Sequence, residues 1–201
     1  MSLPEVFERT RRPLGLAAAL AAAAESLDAG LATLPGQGVT LTFNMETQEQ
    51  SQWCWAAVAV SVTMFYDTSD TVTQCRVANM VLNTNGCCSN PDPCNEDNFL
   101  EDALAQVNHF RAPLVFEPLP FSDVEGEIND GRPLGCRIGW FGGGGHFVII
   151  HGVSVDQTSS AVNRWVAVAD PLFGPSDYLI NNFTSGYRQG EGEWTHSYFT
   201  Q

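Results

Sequence analysis

The chain has 201 residues, 44% of them hydrophobic and only 16% charged, which supplies one substantial core and excludes a disordered acidic tail. Nine Lys+Arg against 23 Asp+Glu give a formal net charge of -14, a balance that repels phosphate backbones and anionic lipid. Nucleic-acid and membrane-surface partners are therefore not expected.

The N-terminal segment MSLPEVFERTRRPLGLAAALAAAAESLDAGLATLPGQG pairs two arginines with an alanine-rich apolar run. That layout superficially matches a secretory signal with a small-residue cleavage site. Glu5 and Glu8 spoil the charge pattern, and Leu27 and Leu31 continue the apolar repeat past the cleavage point. A docked helix or pro-segment over residues 1–36 is the alternative, since alanine is the best helix former. No run reaches ~18 uninterrupted strongly apolar residues, so no transmembrane helix is predicted.

Residues 37–201 are expected to form one catalytic-sized domain. Val39, Leu41 and Phe43 alternate as in a strand. CWAAVAVSVTMFYD, residues 54–67, carries apolar residues at helical spacing with almost no charge, the pattern of a central helix buried on most sides. Two further helices are predicted over TVTQCRVANMVL and NEDNFLEDALAQVN, the latter capped by Asn95 or Asp97. From about residue 113 short β-type runs take over: APLVFEPL, RPLGCRIGW, GHFVIIHGVSV, RWVAVADP, SDYLINNFTSGY and EWTHSYFT. The predicted class is α+β, a helical half with a central buried helix packed on a C-terminal antiparallel sheet.

Six cysteines stand at 54, 75, 87, 88, 94 and 136. Four crowd around the loop NGCCSNPDPC, while Cys54 and Cys136 stand apart. Cys-Cys-x5-Cys lacks the paired knuckles of a structural zinc site, so two disulfides are expected, which leans towards a secreted or extracytoplasmic setting. Adjacent cysteines rarely bridge each other. The options are Cys75–Cys87 with Cys88–Cys94, or Cys75–Cys88 with Cys87–Cys94. Cys136 reads as a reduced core residue.

Cys54 heads the predicted central helix, where the helix N-terminus favours a thiolate over a thiol. A nucleophilic thiol needs a base. Of the four histidines, His146 follows four glycines at the start of a strand, so backbone and substrate can approach it closely. His151, five residues on, points to the opposite sheet face. The base in turn needs an orienter, and Asp170 ends the next strand just before Pro171. Gln48, Gln50 and Gln52 all precede Cys54 and offer amides for an oxyanion. His109 and His196 read as surface or capping residues, and the tryptophans as core, with Trp140 and Trp194 as candidate cleft walls.

Gln six residues before Cys, Trp directly after it, a glycine-rich entry into His-Phe-Val and an Asp-Pro closing the following strand resemble the papain-like cysteine peptidases. The resemblance is nearest to the bacterial branch of bacteriocin-leader peptidases and secreted effector proteases, and covers residues 43–200. It implies a papain-like fold, Cys54 as nucleophile, His146 as general base and acid, Asp170 as orienter where papain itself has Asn, and Gln48 as oxyanion donor. It implies hydrolysis of a peptide or protein substrate through an acyl-enzyme, with no cofactor and no metal, and leaves the oligomeric state open. Acyl transfer or deamidation on the same residues, or a catalytically silent peptide-binding module, are the competing functions.

Overall fold

A computed structural model describes residues 34–201. The expected N-terminal helix or pro-segment falls, for residues 1–33, outside the described residues. The remainder folds as a helical layer on an antiparallel sheet, in the order β1 (Gln37–Thr40), α1 (Cys54–Tyr66), α2 (Gln74–Val81), α3 (Leu100–Gln106), β2 (Phe110–Val115), α4 (Phe121–Asn129), β3 (Leu134–Trp140), β4 (Gly145–Gln157), β5 (Val162–Ala169), β6 (Ser176–Leu179), α5 (Ile180–Gly190) and β7 (Gly192–Thr200). The seven strands run β2-β7-β3-β4-β5-β6, with β1 added beside β4. β4 is long enough to serve two neighbours on one edge. Its first half pairs with β3 and its second with β1. Gly38 allows that last pairing, because a Cβ there would sit 1.9 Å from the Val153 carbonyl.

Every residue of α1 from Cys54 to Thr63 is buried, as the uncharged run requires. Small residues Ala56, Ala57 and Ala59 let the helix sit deep between α2, α3 and the sheet. The sheet itself is covered on both faces. Phe147 and Ile149 join the α1 core, while Val148 and Ile150, one residue out of step, join a second core with Val124 and Ile128 of α4 and Phe183 and Tyr187 of α5. This alternation is the period-2 rule at work.

Two of the helices differ from expectation. FSDVEGEIN, not assigned to any element from sequence, is α4, whose Val124 and Ile128 lie four apart on one helical face. SDYLINNFTSGY, expected as strand, is β6 followed by α5. Its Ile180 and Phe183 carry the i, i+3 spacing of a helix, and burying Phe183, with Tyr187 just past the helical turns, against the sheet outweighs the weak helix propensity of the Asn, Thr and Ser around it. α3 also begins later than its predicted cap, with Phe99 at the N-cap position, because Asn95 is used elsewhere.

The cysteines pair as Cys75–Cys88 and Cys87–Cys94, leaving Cys54 and Cys136 free. Both bridges lie in the helical half and suit an oxidising, extracytoplasmic environment. Among the described residues no helix is long and apolar enough to cross a membrane.

Candidate active site

Three structural elements converge on Cys54, and each does so for a local reason. The turn Gln50–Trp53 delivers the chain into α1, with Trp53 N–H donating to Gln50 O (3.1 Å) and Ala57 N–H opening the helix ladder on Trp53 O (2.9 Å). Trp53 at the N-cap supplies no side-chain cap, so the first backbone N–H groups of the helix have no side chain of that residue to satisfy them. The disulfide-bonded loop then buttresses the turn. Trp53 Nε1 donates to Cys94 O (2.7 Å), Trp55 Nε1 donates to Glu96 O (3.1 Å), and Asn95 Oδ1 accepts from Gln52 N–H (2.9 Å).

His146 opens β4 opposite Ile138 of β3. The intervening turn needs glycine, since Gly143 and Gly144 have φ of 92° and 87°, where a side chain is strained. On the other side, the last β4–β5 rung joins Ile149 to Ala169. One step further along β5, Asp170 falls on the His146 face and diagonal to it. His146 Nε2 donates to Asp170 Oδ1 at 2.8 Å, with both side chains almost fully buried. That commits one ring nitrogen to the carboxylate. Cys54, at the head of α1, lies close enough to the same ring to help raise it. His151, at the irregularity between the β4 and β5 registers, faces away and bonds Leu41 O (3.2 Å).

Asp170 is a saturated acceptor. Its Oδ1 also takes the backbone N–H groups of Leu172 (2.7 Å) and Phe173 (2.9 Å), and its Oδ2 takes the Tyr187 hydroxyl. Burial pushes this carboxyl up, but the His146 charge and these donors outweigh it and hold Asp170 below the usual carboxylate value. For His146 burial acts downwards, and the Asp170 charge and hydrogen bond, with Cys54 behind them, reverse it and raise the ring to about 10. The imidazole is therefore held as imidazolium at neutral pH. Trp140 stacks on it at 5.8 Å between centroids and Phe173 meets it edge-on at 5.9 Å. Trp194, by contrast, is a core residue packed on Phe183.

Gln48 is tied to the same assembly. Its backbone N–H donates to Pro171 O (2.9 Å), linking the loop ahead of Cys54 to the Asp170 loop, while Nε2 donates to Gln50 O (2.9 Å) and Ser51 O (3.0 Å). Its Oε1 is buried with no partner. Gln50 and Gln52 serve the turn through their backbones. His109 stacks on Tyr66 and bonds Gln201 O, and His196 packs on Phe116, both remote from this cluster in their partners. The residue that sequence reasoning passed over is Tyr187. No periodicity marks it, because it stands where the helix has already unwound, in a segment that reads as strand.

A buried imidazolium–carboxylate pair meeting a free cysteine at a helix N-terminus is the arrangement of a thiol hydrolase. The family model described as papain-like cysteine protease AvrRpt2 matches residues 36–188, and the chain belongs to that family; it is a papain-like cysteine-type peptidase acting on protein substrates. The crystal structure of the Pseudomonas avirulence protein AvrPphB aligns over 79% of this chain and 97% of that chain, with 12% identity and a TM-score of 0.36. No curated protein matches the sequence.

Proposed function

We propose that the peptidase works through Cys54 as nucleophile, His146 as general base and acid, and Asp170 as orienter, within a catalytic domain of residues 37–201 to which 1–36 is appended. The observation that carries this reading is the succession Asp170–His146–Cys54, built from the ends of β5, β4 and α1. A positively charged ring beside a thiol favours the thiolate. The Cys54 sulfur attacks the peptide carbonyl carbon, a C–S bond forms and the carbonyl electrons move onto oxygen. Backbone N–H groups at the uncapped start of α1 stabilise that oxyanion, and the helix dipole adds to them. Collapse breaks the C–N bond, with His146 giving its proton to the leaving amine. Neutral His146 then takes a proton from water, the hydroxide attacks the thioester, and the acid leaves with the thiolate restored.

Gln48 joins as the side-chain donor to the oxyanion by exchanging its bond to Ser51 O, the solvent-exposed one of its two, for the substrate oxygen. The bond to Gln50 O keeps the amide plane fixed during that exchange.

The test is Cys54→Ala with a peptide substrate, followed by mass spectrometry of products and of the protein. Turnover should vanish, and the wild type quenched early should carry an acyl adduct on Cys54 that resolves to free acid. Full activity in Cys54→Ala contradicts the assignment. Products joined to an added amine, with no free acid, place the chemistry in acyl transfer instead.

A further inference from the structure

α5 does not end as an ordinary helix. Beyond Ser185 the backbone leaves helical geometry at Gly186 and Tyr187, then places two consecutive non-glycine residues, Arg188 and Gln189, in the left-handed region at φ of 51° and 63°. Each such residue costs free energy, so a segment holding two in a row must be fixed by its surroundings. Two contacts fix it. Arg188 lies over the Phe173 ring at 4.3 Å from its centroid, and the fully buried Tyr187 reaches Asp170 with its hydroxyl. The kink thus turns Tyr187 inward against the Asp170 carboxylate that bonds His146.

We propose that Tyr187 is a positioning residue of the catalytic machinery, its hydroxyl fixing the plane of the Asp170 carboxylate so that Oδ1 is presented to His146 Nε2. This rests on the roles given above to His146 and Asp170. The geometry divides the carboxylate cleanly. Oδ1 serves His146 and the two loop amides, while Oδ2 is bound by the Tyr187 hydroxyl. Without that donor Oδ2 would be a buried charged acceptor lacking its partner, free to rotate towards the amides and away from the ring. The phenol is suited to the task because burial first, and the adjacent carboxylate second, keep it protonated. Trp140 closes the arrangement, stacking on His146 and lying 6.1 Å from the Tyr187 ring. The ring of Tyr187 packs on Tyr178 and Phe183, so removing the hydroxyl alone leaves the packing in place.

The experiment compares Tyr187→Phe, Asp170→Asn and the double variant, with His146→Ala as the control, for kcat, KM and pH profile. Tyr187→Phe should lower kcat by about 10- to 100-fold, the span of a hydrogen bond to a charged group, leave KM unchanged and move the acid limb of kcat upwards in pH. In the Asp170→Asn background the same substitution should change kcat less than about twofold, because the group it orients is gone. Equal kcat losses in both backgrounds, or a wild-type kcat and acid limb in Tyr187→Phe while His146→Ala is inactive, overturn the proposal but keep the reading of the site. Activity in His146→Ala instead removes that reading. Should Tyr187→Phe not fold, proton NMR of the wild type decides: a slowly exchanging Tyr187 hydroxyl proton that shifts when His146 titrates supports the role, and a freely exchanging one refutes it.

Discussion

The region around Cys54 and the region carrying His146 and Asp170 are held together by different means. On the sheet side, β3 and β4 pair without a break, and β4 and β5 pair up to the Ile149–Ala169 rung, which leaves His146 and Asp170 diagonal to each other just beyond it. The helical side has no such ladder. α2 and α3 are eight and seven residues long, shorter than helices that persist unaided, and the loop between them is polar. Two disulfides close that loop, and Trp53, Trp55 and Asn95 lash it to the chain entering α1. The His146–Asp170 pair is thus positioned largely by strand pairing, and Cys54 by covalent and side-chain tethers.

That contrast predicts how the two regions break. The largest effects fall on the chemistry: His146→Ala should lower kcat by about 10⁴-fold or more, while Asp170→Ala should keep about 10- to 100-fold more activity than His146→Ala, since an orienter contributes less than the group it orients. Steady-state kinetics on both variants check the order, and equal losses would mean Asp170 does more than orient.

Next in size is the tether. Removing one bridge as Cys87→Ser/Cys94→Ser should cost about 2–3 kcal/mol of stability for so short a closed loop and should slow turnover in the protein that remains folded. The sheet side should not notice, so the His146 imidazole resonances stay at their wild-type positions. Unchanged kinetics with perturbed His146 resonances would reverse the proposed division.

The smallest effect is a slope. Because His146 titrates near 10 in the fold and 6.5 is its ordinary value, its protonation stabilises the native state fully below about pH 6.5, and that contribution is lost as pH rises towards 10. Asp170, held below 3.8, contributes above that value and loses its share only as pH falls through its lowered folded value. Urea denaturation of wild type and Asp170→Asn should therefore give a stability difference that shrinks steadily from pH 6.5 to 10. A difference that stays constant across that window would show that the pair is not the ion pair described.

The sheet side was the more legible in the sequence. The short β-type runs GHFVIIHGVSV and RWVAVADP, each bounded by turn residues, placed the strands, and the glycine-flanked strand start singled out His146 over His151. The uncharged run from Cys54 gave α1 directly. Less could be read where partners are distant in sequence. Cys87 and Cys88 are adjacent, so spacing alone admitted two pairings, and the structure joins Cys88 to Cys75 while Cys87 N–H is held by Asn79 of α2. Asn95 has the chemistry of a helix cap, yet it serves Gln52 and Ser51, more than forty positions earlier. Tyr187 bonds a carboxylate 17 residues away and is followed by a kink at Arg188 and Gln189, residue types with no preference for left-handed backbone. α4 and α5 were hidden by a Gly inside one and by weak helix formers in the other.

The central claim is that Cys54 is activated by His146, and the protein carries its own control in Cys136, a second free thiol buried at 0% exposure whose ionisation burial strongly disfavours. Iodoacetamide at pH 6, followed by peptide mapping, measures both thiols in one sample. The account predicts label on Cys54 alone, at a rate about 100-fold above that of Cys54 in His146→Ala, because the ring beside it is the partner that Cys136 lacks. Equal rates in wild type and His146→Ala, or label entering Cys136 first, would contradict it.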